Sequence, residues 1–326
     1  MGLLVDGKWV DRWYDTKSSG GRFVREDASF RSRITRDGSS GFPAEAGRYH
    51  LYVSLACPWA SRTLIFRKLK RLQEAISLSV VDPLMLENGW TFGDGPGCTP
   101  DPILGARYLY EIYLAANPRY TGRVTVPVLW DRERRTIVNN ESSEIIRMLD
   151  AEFDAIGDAS VHFYPEGLRD EIDAVNERVY PNVNNGVYRA GFATAQDAYE
   201  AAFHDVFATL DWLDERLATR RWLVGGRLTE ADWRLFTTLV RFDAVYYGHF
   251  KCNLRRIADY ASLSGYLRDL YQVPGVADTV SFSHIKRHYY GSHRGINPTG
   301  IVPVGPALDL AAPHERARLE YAESSA

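Results

Sequence analysis

Over residues 1 to about 45 the apolar and polar positions follow no sustained period, and Trp9, Trp13, Tyr14, Phe23, Phe30 and Phe42 are scattered among Gly, Ser, Asp and Arg. Such a stretch reads as an extension ordered by docking, not as a domain. The pattern then sharpens. Residues 48–56 (RYHLYVSLA) predict a strand, 58–72 (PWASRTLIFRKLKRL) a helix with proline at its first position, and 76–82 (ISLSVVD) a β-branched strand. Together they make a βαβ unit with parallel strands and a right-handed crossover. A stretch of about 40 residues rich in Gly and Pro follows, from Asp82 to Val124, with a short helix expected over 104–115. A loop of that length inside a compact domain is usually functional or mobile. Residues 124–131 (VTVPVLWD) and 136–139 predict two more strands joined by the charged turn 132–135, and the internal Pro127 marks either an edge strand or a special bond. A helix over 142–149 closes the unit, with Ser142 expected as its N-cap.

From about Gly167 onward the period is helical. Over 195–217, Tyr199, Ala202, Phe203, Val206, Leu210, Leu213 and Leu217 share one face, as in an antiparallel bundle. TEAD (229–232) precedes the apolar stretch 233–245 and reads as a capping box with Asp in place of Glu. Another helix is expected over 263–272, stopped by Pro274 and Gly275. The expected divisions are an extension 1–45, an α/β domain 46–152, an all-helical domain 165–295 and a tail 296–326, frayed at its end.

Composition narrows the function classes. The chain has 326 residues, 45% apolar and 25% charged, enough for two domains with dry cores. Lys and Arg number 39 against 42 Asp and Glu, for a net charge of -3, so no nucleic-acid or anionic-membrane partner is expected. Three cysteines make neither a disulfide framework nor a metal-ligand spacing, and they suit a reducing, cytoplasmic location with no metal. The first residues lack a secretory or myristoylation pattern, and no window is a membrane span.

The chemistry gathers where the first strand gives way to the first helix. In Cys57-Pro58-Trp59-Ala60 a thiol sits at a helix N-terminus, where the positive end of the dipole favours thiolate. Dithiol oxidoreductases carry a second Cys three positions later; here that position is Ala60. A mixed disulfide on Cys57 must then be released by an outside thiol, in cytosol most often glutathione. The same domain offers groups suited to holding glutathione. A cis Val126-Pro127 bond would expose the Val126 N–H and C=O to a peptide-like ligand. Glu141 and Ser142 at a helix start suit the γ-glutamyl end, and Arg123 and Trp90 suit the glycyl carboxylate. His288 and His293 are expected to be hydrogen-bonded structural residues, and Cys98 and Cys252 to be non-catalytic.

These motifs together resemble a known family. Strand-CPWA-helix, VPVLWD, NNESSEI, the TEAD box and an all-helical second half look like the glutathione transferase fold, a thioredoxin-like domain followed by a helical bundle. NNGVYRAGFATAQDAYE (184–200), RFDAVYYGHFKCN (241–253) and HYYGSHRGINPTGIVPVGP (288–306) resemble one branch, the xi-class glutathionyl-hydroquinone reductases. The resemblance covers roughly residues 40–306. It implies glutathione-dependent removal of glutathione from S-glutathionyl hydroquinones, yielding hydroquinone and glutathione disulfide, in a homodimer. It puts the nucleophile on Cys57 and glutathione contacts on Trp90, Arg123, Val126, Glu141 and Ser142. Two tyrosines facing the hydroquinone fall on Tyr188 and on one of Tyr289 and Tyr290, with Tyr289 favoured for catalysis and Tyr290 for binding. The alternatives are an omega-like thioltransferase or dehydroascorbate reductase, which needs Cys57 but not the tyrosines, and a non-enzymatic binding module on the same fold.

Overall fold

Every residue of the strand Tyr49–Val53 (β3) is buried, as expected of a strand paired on both sides and covered on both faces. A computed structural model, describing residues 2–319, places β3 between Ile76–Val80 (β4), its parallel partner, and Val128–Asp131 (β6), its antiparallel one. Thr136–Asn139 (β7) completes the four-stranded order β4-β3-β6-β7. The helix Pro58–Leu69 (α1) supplies the crossover between β3 and β4, and it packs against Ser142–Ala151 (α3). The bond preceding Pro127 is cis and lies just outside β6, so the proline interrupts no ladder bond and β6 is an interior strand, not an edge.

The extension holds more regular structure than its pattern suggests. Leu3–Val5 (β1) and Lys8–Val10 (β2) form a hairpin, and β1 also pairs antiparallel with Gly122–Arg123 (β5). Strands of three residues are too short to display a period of two. The readable signal was Asp6-Gly7, both with positive φ (47° and 76°), the turn chemistry of a two-residue hairpin. The helix of the long insert is Leu109–Ala116 (α2), starting five residues later than expected.

The described residues fall into two compact units. The first comprises residues 2–13, Glu26–His162 and Asp278–Val302; the second comprises Tyr14–Arg25, Phe163–Ala277 and residues 303–319. The helix Phe282–Ser292 (α9) therefore groups with the α/β unit and not with the bundle, unlike the sequence division at 165–295. Its bonds explain why: His284 Nε2 meets the Pro96 carbonyl at 2.7 Å, His288 Nδ1 the Pro83 carbonyl at 2.9 Å, and Ser292 Oγ accepts from Met85 N at 2.9 Å. All three reach into the Gly- and Pro-rich insert, a contact no helical period reveals. The expected frayed end, 320–326, lies outside the described residues.

The second unit holds Arg169–Val179 (α4), Gly186–Gly191 (α5), Gln196–Leu217 (α6), Glu230–Arg241 (α7) and Leu263–Tyr271 (α8). Ala198, Ala202, Val206, Leu210, Leu213 and Leu217 form the buried stripe of α6, while Tyr199 and Phe203 are only half-buried. α7 is buried at all its positions, with Glu230 paired to Arg234 at 3.0 Å inside the bundle. Wide five-residue turns follow α4 (Tyr180–Asn184) and α7 (Phe242–Tyr246), and the first aims α5 and its Tyr188.

Candidate functional site

Cys57 occupies the N-cap position of α1, with extended backbone (φ -78°, ψ 122°) and Pro58 next in line. Its carbonyl accepts the first helical bond, from Ser61 N at 3.0 Å. The thiol is half-buried and points at the cis-proline turn, its Sγ 3.5 Å from the Val126 carbonyl oxygen. A peptide-like ligand lying along Val126 is thus within reach of the sulfur. Ala60, where a resolving thiol would stand, is fully buried. The other two cysteines have different surroundings. Burial pushes the Cys252 thiol up to about 12, and burial with Asp82 nearby raises Cys98, which disfavours the thiolate at both.

The N-cap of α3 lies one residue earlier than the sequence reading has it. Glu141, not Ser142, is the N-cap, its Oε1 accepting from Ser143 N at 3.0 Å and Ser143 Oγ at 2.8 Å. Ser142 is the first helical residue and is buried, and its Oγ accepts from Arg62 Nη1 at 3.4 Å. Arg62 itself is buried on α1, its guanidinium 4.6 Å from the Trp59 ring centroid. The sequence reading passed over Arg62. Its signal is a guanidinium on an otherwise apolar helix face, five positions after the nucleophile.

Trp90 is buried in the insert, where its ring stacks on His288 of α9 at 4.8 Å and its carbonyl accepts from Leu109 N at 2.9 Å. Arg123 lies on β5, and its Nη1 donates to the Arg12 carbonyl at 2.6 Å. Tyr289 is 1% exposed, with the rings of His288 and His293 at 5.2 and 5.3 Å. Tyr290 is half-buried, and its carbonyl accepts from Asn297 Nδ2 at 2.8 Å. His288 is hydrogen-bonded to the Pro83 carbonyl, and its ring lies against those of Trp90 and Tyr289.

Cys57, Trp90, Arg123, Val126, Glu141, Ser142, Tyr289 and Tyr290 all belong to the first unit; Tyr188 belongs to the second. There Tyr188 sits among Phe192, Tyr246 and Phe250, with the Arg25 guanidinium 5.1 Å from its ring centroid. Arg25 is held in turn by Asn185, Nε to Oδ1 at 3.2 Å. A cation over the ring draws electron density from the phenol and favours donation from its hydroxyl. Among the described residues no cluster of three or more His, Cys, Asp or Glu could hold a metal ion, and no helix is long and apolar enough to cross a membrane.

Comparison with known proteins fits this geometry. Residues 56–152 match the glutathione S-transferase N-terminal domain and residues 196–269 the C-terminal domain. The chain is 60% identical to the glutathionyl-hydroquinone reductase PcpF of Sphingobium chlorophenolicum over 310 residues, 95% of this chain and 98% of that one. It is 58% identical to the glutathionyl-hydroquinone reductase YqjG of Escherichia coli K12, covering 97% of this chain and 98% of that one. The glutathione-bound structure of YqjG superposes with a TM-score of 0.90 at 54% identity, over 97% of this chain and 99% of that one. A xi-class glutathione transferase from Natrialba magadii gives 0.92 at 50% identity, over 98% of this chain and 97% of that one.

Proposed function

This chain belongs to the glutathione S-transferase family and to its xi class of glutathionyl-hydroquinone reductases, and from that premise we propose that it reduces S-glutathionyl hydroquinones with glutathione. The observation that carries the reading is the Cys57 thiol at a helix start, 3.5 Å from the cis-proline carbonyl, with alanine in the resolving position. That is a monothiol site shaped for a peptide thiol.

The reaction runs in two displacements. One ring hydroxyl of the substrate first tautomerises to a ketone, and the Cys57 thiolate then attacks the glutathionyl sulfur. The ring carbon gained its hydrogen in that tautomerisation. When the C–S bond breaks, its electron pair therefore passes through the ring to the ketone oxygen as a phenolate, and protonation at that oxygen gives the free hydroquinone. Cys57 now carries glutathione as a mixed disulfide. A second glutathione thiolate attacks it, releasing glutathione disulfide and regenerating the Cys57 thiolate. Without the ketone the ring would have to leave as a carbanion, so a phenol donating to the ring oxygen is worth most here. Tyr188 and Tyr289 take that role in this reading, and Tyr290 contributes to substrate binding. Glutathione is held by Trp90, Arg123, Val126, Glu141 and Ser142. Three free cysteines suit a cytoplasmic enzyme, and a twofold homodimer, the commonest assembly, completes the proposal.

Replacing Tyr188 and Tyr289 together by Phe tests it. Cleavage of a glutathionyl hydroquinone is expected to fall by about 10²- to 10⁴-fold. Reduction of the mixed disulfide of glutathione with hydroxyethylthiol, whose leaving group is already a good one, should fall far less. Equal losses would reduce the tyrosines to shaping the pocket, and no loss on either substrate would favour an omega-like thioltransferase.

A further inference from the structure

We propose that the N-terminal hairpin is a positioning element for the glycyl end of glutathione, with Trp9 as its key side chain; this rests on the reading that Trp90 and Arg123 receive that carboxylate. A hairpin with two three-residue strands has no stability of its own, so it is ordered only by what it holds. What it holds is specific. On one side β1 pairs with β5, Leu3 opposite Arg123 and Leu4 opposite Gly122. The turn reinforces that edge: Gly7 N donates to the Tyr120 carbonyl at 3.0 Å, Asp6 N to Thr121 Oγ1 at 2.8 Å, and Arg119 Nε to the Asp6 carboxylate at 2.7 Å. Two residues past β2, the Arg12 carbonyl accepts from Arg123 Nη1 at 2.6 Å and fixes one arm of the guanidinium.

On the other side the hairpin grips the insert beside Trp90. The Trp9 indole N–H donates to the Glu87 carbonyl at 2.8 Å. Its ring covers Gly89, the residue before Trp90, so closely that a Cβ there would lie 2.7 Å from it, and Gly89 also has a positive φ of 69°. The ring stacks on Tyr110 at 5.0 Å, and Tyr110 stacks on Tyr108 at 5.0 Å. One short segment thus sets both the backbone next to Trp90 and the side chain of Arg123, residues 33 positions apart in sequence. Two groups meant to converge on one carboxylate need such common support, because small displacements of either weaken a charge-assisted bond.

The test compares glutathione with γ-glutamylcysteine, which has the same thiol and γ-glutamyl group but no glycine. Each serves as the reducing thiol with wild type, Trp9→Ala and Trp9→Phe. In Trp9→Ala the KM for glutathione is expected to rise about tenfold with kcat within about twofold, while the KM for γ-glutamylcysteine stays at its wild-type value. Trp9→Phe retains a ring for the stack and should recover most of the loss; it also carries the test if circular dichroism shows that the Ala variant does not fold. An equal rise for both thiols, or no rise for glutathione in a folded variant, would overturn the proposal and leave the hairpin as plain support. If wild-type enzyme uses the two thiols equally well, the assignment of Trp90 and Arg123 to the glycyl carboxylate is what fails, and the proposal fails with it.

Discussion

The starts of α7 and α1 present the same raw material, a first turn of backbone N–H groups without helical partners, and the chain uses it in opposite ways. At α7 oxygen serves that turn: Glu230 N donates to the Phe163 carbonyl at 2.7 Å, and a capping box joins Thr229 and Asp232. Thr229 is the N-cap, and Asp232 accepts from Thr229 N at 2.8 Å, Thr229 Oγ1 at 2.9 Å, Leu223 N at 2.9 Å and Tyr266 Oη at 2.7 Å, all of it buried. Burial raises the Asp232 carboxyl above its ordinary range while those four bonds pull it back down. At α1 the cap position holds sulfur, a weak acceptor, turned toward the Val126 carbonyl, and Pro58 removes one N–H outright. An oxygen cap converts the dipole into stability; a sulfur cap leaves it available to a thiolate. Both N-caps have extended backbone, and the chemistry of one atom, oxygen or sulfur, sets the two helix starts apart.

The largest expected effect breaks the comparison at its sulfur end. Cys57→Ser should lower reductase turnover by at least about 10³-fold, since a hydroxyl with no activating base is a poor nucleophile. Serine is also a better N-cap than cysteine, so thermal unfolding should be unchanged or slightly later, by no more than about 0.5 kcal/mol. Activity and stability would then move in opposite directions from one substitution. Retention of most turnover would remove Cys57 from its role.

The next effect belongs to the oxygen end. Asp232→Ala leaves two buried N–H groups and two hydroxyls short of their acceptor, at a cost of about 3 kcal/mol. For a unit of this size that lowers Tm by roughly 6 to 12 °C. Turnover per folded molecule, measured well below the transition, should stay near the wild-type value. A matching loss of turnover would mean that the capping box also sets the geometry of the reaction, and the contrast between the two helix starts would fail.

How much of this was readable beforehand follows the same division between local and distant causes. The α7 box, the cis Val126-Pro127 bond and the position of Cys57 rest on neighbours within a few residues, and their spacing in the sequence announced them. The N-cap of α3 was misplaced by one residue, because Glu141 and Ser142 are both competent caps and only the bond from Glu141 to Ser143 decides between them. What the pattern could not disclose is long-range. His288 stacks on Trp90 across nearly two hundred positions, Arg123 bonds to Arg12, and α9 leaves the bundle it follows in sequence for the α/β unit. None of these contacts has a period, and each depends on which surfaces the insert exposes once folded.

The smallest expected effect sharpens the comparison with a third helix start, that of α3, where the cap is oxygen but lies nearer the surface. Glu144 in its first turn accepts from Arg31 Nε at 2.8 Å, from Arg31 Nη2 and from Asn139 Nδ2 at 2.8 Å. The Arg31 guanidinium, above all, holds this carboxyl below its ordinary value of 4.5. The Arg31 side chain is 47% exposed and that of Glu144 27%, so solvent screens most of the attraction, and the pair with the helix dipole contributes about 0.5 kcal/mol. Because the folded value is the lower one, this contribution is complete above 4.5 and is lost as pH falls through the lowered value. Glu144→Gln keeps the shape and removes the charge. Wild type should therefore melt about 1 to 2 °C above the variant at pH 7, with the gap closing progressively below pH 4.5. A gap that widened on acidification would mean that Glu144 stabilises the helix start as a neutral acid, and oxygen capping at α3 would then owe nothing to the dipole.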